Sequence, residues 1–140
     1  MPERKTIERA KQDLRTGKSP TTAAGEFVRE EIHHVREGKH GARSARQAIA
    51  IGLSKARRAG VPLPPPAPGR TSERTRKSAE RAYEAGQSDG AKHRPSSRRS
   101  RAVEGALERE PKTTTSHAAL SRQAKSAAAR RERSRTSARR

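Results

Sequence analysis

Apolar positions recur at helical spacing through the first sixty residues and become sparse afterwards. Ile7, Ala10 and Leu14 fall on one face of a helix predicted over residues 3 to 16, with Gly17 placed to end it. A second helix is predicted over 20 to 37. Ser19 can cap it, Pro20 suits its first position, Ala24, Phe27, Val28, Ile32 and Val35 make one stripe, and Gly38 stops it. A third is predicted over 45 to 59, opened by a capping box of Ser44 and Gln47 and closed by Gly60, Val61 and Pro62 in a Schellman-type ending. At 100° per residue Ala45, Ile49, Gly52, Leu53 and Ala56 share a face, and the missing side chain at Gly52 predicts a close approach of helix two. Glu31 interrupts the apolar stripe between Phe27 and Val35, so it is expected to pair with a basic residue of a neighbouring helix.

Beyond Val61 the pattern changes. Residues 62 to 68 read Pro-Leu-Pro-Pro-Pro-Ala-Pro, a polyproline II spacer of roughly 20 Å at about 3.1 Å per residue. Pro65, Pro68 and Arg70 also match a PxxPxR ligand of SH3-type domains, although a linker role is sufficient for the segment. Leu, Ile, Val and Phe number fourteen in 140 residues, and ten of them lie within residues 1 to 61. So small a share in so charged a chain points to disorder outside the N-terminal part. The expected architecture is mostly α: a small N-terminal helical hairpin or three-helix module over 1–61, a linker over 62–70, and a basic, largely disordered C-terminal tail over 71–140. Transient helices are expected near 72–85, 100–109 and 116–131, the last forming on binding.

Charge decides the class of partner. Lys and Arg number 34 against 15 Asp and Glu, a formal net charge of +19. The tail is the most basic part, with thirteen basic and four acidic residues over 96–140. An excess of this size opposes compaction and attracts polyanions, of which nucleic acid is the abundant intracellular example. With no cysteine, disulfides and thiolate metal sites are excluded and an oxidising compartment is not indicated. The longest strictly apolar run, Ala48 to Ile51, is too short for a signal-peptide core or a membrane span, so no membrane partner and a cytoplasmic, nucleoid-associated location are expected.

The loop from Gly38 to Ser44 leads into the N-terminus of helix three, where free N–H groups, Lys39, Arg43 and the Ser44 hydroxyl can converge on one phosphate. The competing reading is a solvated turn whose Ser44 only caps the helix. Arg46, Lys55, Arg57 and Arg58 radiate from helix three, and six loop residues are too many for a helix-turn-helix reader. In the tail the candidate phosphate ligands are Arg98, Arg99 and Arg101, then Arg122 and Lys125, then Arg130, Arg131, Arg133 and Arg135. Arginine's forked guanidinium suits phosphate. Phe27 and Tyr83 are the only aromatics besides histidine, which disfavours base stacking and favours duplex DNA, with structured RNA left open.

Overlapping E-x-x-H pairs in Glu30-Glu31-Ile32-His33-His34 raise metal ligation. Only one copy is present, and Glu26, Glu30, His33 and Glu37 share a polar face expected to be solvated, so no metal and no cofactor are expected. No nucleophile, base and orienting acid assemble by spacing, and no enzyme is expected. Ile51, on the far side of helix three from Ile49, is weak support for a homodimer.

The blocks Gly25 to Ser44 and Gln47 to Gly60, together with His117 to Ala128, resemble an uncharacterised bacterial family of small, basic, Lys/Arg/Ala/Ser-rich proteins. That family is a domain of unknown function, sometimes labelled DNA-binding, and the resemblance implies a bacterial origin without a mechanism. The expected function is sequence-nonspecific binding of nucleic acid through phosphates, as a nucleoid- or RNA-associated protein. The alternative is a protein-interaction adaptor for an acidic partner.

Overall fold

A computed structural model describes residues 2–88 and 96–139. Every regular element among them is a helix: α1 (Arg4–Arg15), α2 (Pro20–Arg36), α3 (Ala45–Arg58), α4 (Glu73–Gln87), α5 (Ser97–Glu108) and α6 (His117–Ala138).

The first three helices begin and end where their punctuation predicts. Ser19 Oγ accepts the Thr22 N–H to open α2, and Ser44 Oγ accepts the Gln47 N–H to open α3. At the end of α3, Gly60 takes φ +100° while the Gly60 N–H bonds Arg57 O and the Val61 N–H bonds Ala56 O. That is the paired bonding of a Schellman ending, with Val61 buried behind it. Gly38, at φ +77°, closes α2 in the same way through Val35 O and His34 O.

Phe27 sits at the centre of the main core, packed with Ala10, Ala23, Ala24, Ala56 and Val61 and flanked by Ile7, Leu14, Leu53 and Leu63. A second cluster joins Val35, Ala42 and Ala48. Alanines dominate both, so the helices approach closely and bury surface through backbone and Cβ atoms rather than long side chains. The extreme case is Gly52, where an added Cβ would fall 2.6 Å from the Val28 Cα.

The expectation of a largely disordered tail is overturned, because α4, α5 and α6 occupy most of the chain after residue 72, and α6 runs unbroken over 22 residues. The three expected transient helices stand near their predicted places as formed elements. Their partner surfaces are small residues that a count of Leu, Ile, Val and Phe does not register. In α4, Ala82 is buried, and Gly86 meets the Arg57 carbonyl so closely that no Cβ fits between them. The last turn of α5 and the segment after it dock on the α2–α3 loop: Gly41 N–H donates to Leu107 O, Ala42 N–H to Pro111 O, and Thr114 Oγ1 to Ala42 O. Arg36 Nε donates to Thr115 O at 2.9 Å, which ties the start of α6 to the end of α2. For α6 itself, Ser116 caps the Ala119 N–H, seven alanines supply high helix propensity, and 22 residues exceed the roughly 12–15 below which isolated helices are marginal.

The proline segment begins as a docked strap. Arg57 Nε and Nη2 donate to Leu63 O and Pro64 O, each at 3.2 Å.

Candidate nucleic-acid interface

The sixteen residues expected to contact phosphate divide by what already occupies them. Arg57 is buried at 8% exposure, and its Nε and Nη2 donate to the Leu63 and Pro64 carbonyls. Burial pushes its guanidinium below the ordinary arginine value. Arg57 therefore holds the proline strap. Lys55 is half-buried and ion-paired to Glu31, whose side chain is fully buried. This is the pairing that the interrupted apolar stripe predicts.

The loop before α3 has few free groups. Its Gly41 and Ala42 N–H groups are spent on the last turn of α5 and the segment after it, and the Arg43 N–H donates to Gln47 Oε1. A Cβ at Gly41 would collide with the Glu110 carbonyl, so the close approach that this glycine permits is to protein backbone. Ser44 Oγ caps α3. Lys39 Nζ lies 3.4 Å from Glu37 and 3.9 Å from Glu3, leaving an exposed but compensated charge. The Arg43 side chain remains exposed, as do Arg46 and Arg58 on α3. Ile51 is half-buried.

Arg98, Arg99 and Arg101 are exposed on the first turns of α5, where Ser96 Oγ accepts the Arg99 N–H and the first turn holds no acid. Cations at the positive end of a helix dipole are unfavourable by a few tenths of a kcal/mol, up to about 1, until an anion joins them.

The largest group lies on α6. Its first turns rest against α3, with Ala119, Leu120, Gln123 and Ala127 half-buried, and every described residue from 128 to 139 is exposed. Arg122, Lys125, Arg130, Arg131, Arg133 and Arg135 are all exposed, Glu132 is the helix's only acid, and among the described residues none of these six makes an ion pair. At 100° per residue the four C-terminal arginines spread around the axis instead of sharing one stripe. The result is a positively charged rod, about 33 Å long at 1.5 Å per residue, anchored at one end.

A family model described as a family of unknown function (DUF6496) matches residues 15–66. The matched stretch contains α2, α3 and the first prolines, so the chain is similar there to an uncharacterised family; residues 117–128 lie outside the match. No curated protein and no solved structure matches the chain. No helix among the described residues is long and apolar enough to cross a membrane.

Glu30, expected on a solvated face, is only 6% exposed, because the start of α1 covers it and the Glu3 N–H donates to its Oε1 at 2.7 Å. A carboxylate at the N-terminus of α1 also complements the helix dipole.

Proposed function

We propose that the protein binds duplex nucleic acid through its phosphates, with α6 as the principal contact and little reading of base sequence. The observation that carries this reading is the unpaired positive charge of α6. Six exposed cations on one helix lack an internal counterweight, and Arg131 and Arg135 repel each other at i, i+4. A duplex presents one negative charge per ~1.7 Å of axis, so a rod of about 33 Å can lie along roughly one turn and meet phosphates from several sides. Arg98, Arg99 and Arg101 on α5 and Arg43, Arg46 and Arg58 near α3 supply further exposed cations. Lys55 and Arg57 are omitted because their charges serve the fold. Nucleoid association follows from this chemistry if the protein meets chromosomal DNA.

Fluorescence anisotropy with a random-sequence duplex tests the reading. Replacing Arg130, Arg131, Arg133 and Arg135 by Gln is expected to weaken binding and to make the log K against log [salt] slope shallower by about 3 to 4, near 0.9 per phosphate contact. Unchanged affinity in this variant overturns α6 as the contact. A preference for structured RNA over the duplex by tenfold or more overturns the choice of duplex.

A further inference from the structure

Glu30 and Glu31 put two adjacent carboxylates inside the protein, the Glu31 side chain with no exposure at all. A buried carboxylate costs several kcal/mol unless its oxygens are satisfied. Glu31 Oε1 meets Lys55, but Glu31 Oε2 and Glu30 Oε2 are buried without a hydrogen-bond partner. Among the described residues, Lys55 is the only lysine or arginine that ion-pairs with either. Two buried carboxylate oxygens therefore stand unpartnered beside two histidines.

His40 shows what Glu31 Oε2 faces. Its Nδ1 lies 2.9 Å from the Gly41 carbonyl oxygen, which can only accept, so Nδ1 carries the ring proton. Its Nε2 faces Glu31 Oε2 at 3.1 Å, without the alignment of a hydrogen bond. A cation held between the two atoms would satisfy both of them. His34, one helical turn after Glu31, stands edge-on to His40 with ring centroids 6.0 Å apart. One donor atom from each of Glu31, His34 and His40 lies within 4.8 Å of the others.

We propose that Glu31, His34 and His40 form a binding site for a divalent transition metal, with zinc the best fit. Two imidazole nitrogens and one carboxylate oxygen are a borderline donor set that suits zinc over magnesium or calcium. In a tetrahedral zinc site with ligand bonds near 2.0–2.2 Å, neighbouring donors stand roughly 3.4 Å apart, close to the 3.1 Å found here. The outer contacts are also those that orient metal ligands: the Gly41 carbonyl fixes the His40 tautomer, and Lys55 holds the second Glu31 oxygen. Three protein ligands leave a fourth position for water. The ion would stitch the end of α2 to the loop on which the segment leading to α6 docks. This inference does not depend on nucleic-acid binding.

The test is calorimetric titration of the EDTA-stripped full chain with zinc chloride, followed by thermal unfolding. One zinc per chain and a raised Tm are expected, with neither effect from magnesium. His40→Ala is expected to weaken zinc binding by about 100-fold or more, and His33→Ala, at an exposed position near Glu37, to leave it unchanged. Absence of stoichiometric binding overturns the proposal, and so does His40→Ala binding like the parent. Retained binding in His40→Ala with loss in Glu3→Gln would reassign the ion to Glu3, Glu30 and His34, overturning the ligand set. If His40→Ala fails to fold, cobalt(II) added to the intact chain replaces it: visible bands of four-coordinate cobalt saturating at one equivalent support the site, and their absence overturns it.

Discussion

Gly52 of α3 lies against Val28 of α2 so closely that a single added carbon would stand 2.6 Å from the Val28 Cα. The contact sets the spacing of the two helices that carry most of the core. Gly52→Ala gains about 1 kcal/mol of helix propensity but forces the backbones apart, and overpacking of this kind costs about 1–3 kcal/mol. A net loss of stability is expected, read as a lower urea midpoint at unchanged m-value. A midpoint equal to or above that of the parent would show that the helices can separate freely.

Arg57 separates a structural cation from a ligand-binding one. Its replacement by Ala leaves the Leu63 and Pro64 carbonyls without their donors and is expected to cost about 2 kcal/mol by urea unfolding. Arg57→Lys recovers only part of this, since an ammonium cannot span two carbonyls as the guanidinium fork does. Duplex affinity of the folded Arg57→Ala protein should stay close to that of the parent. A large loss of affinity without loss of stability would return Arg57 to the interface.

Far-UV circular dichroism of the free protein should already report α6 as helix. Saturating duplex is then expected to change the helical signal little, because the arm is formed before it binds. A gain of some twenty helical residues on binding, as in coupled folding, would contradict the structure of α6.

The three N-terminal helices were legible because their signals are local. Ser19, Ser44, Gly38 and Gly60 act on their own turns, and Gly52 announces a close approach by its missing side chain. Glu31 was legible as a buried ion because it breaks a stripe that is otherwise apolar. The stability of α4 to α6 was not legible, because their docking is made by Gly86 against Arg57, Gly41 against Glu110 and backbone hydrogen bonds of the loop, none of which leaves a hydrophobic pattern. The burial of Glu30 was missed for a related reason: the start of α1 covers it through a backbone N–H. His40 gave no sign in sequence, since it joins Glu31 and His34 only after the loop folds back.

Binding of a random-sequence duplex by the full chain across potassium chloride concentration tests the central claim most directly. If the exposed arginines neutralise about six to ten phosphates, affinity falls by about 10³ to 10⁵ between 50 and 200 mM salt, along a straight line in log K against log [salt]. Affinity that is indifferent to salt, or absent at low ionic strength, would contradict it.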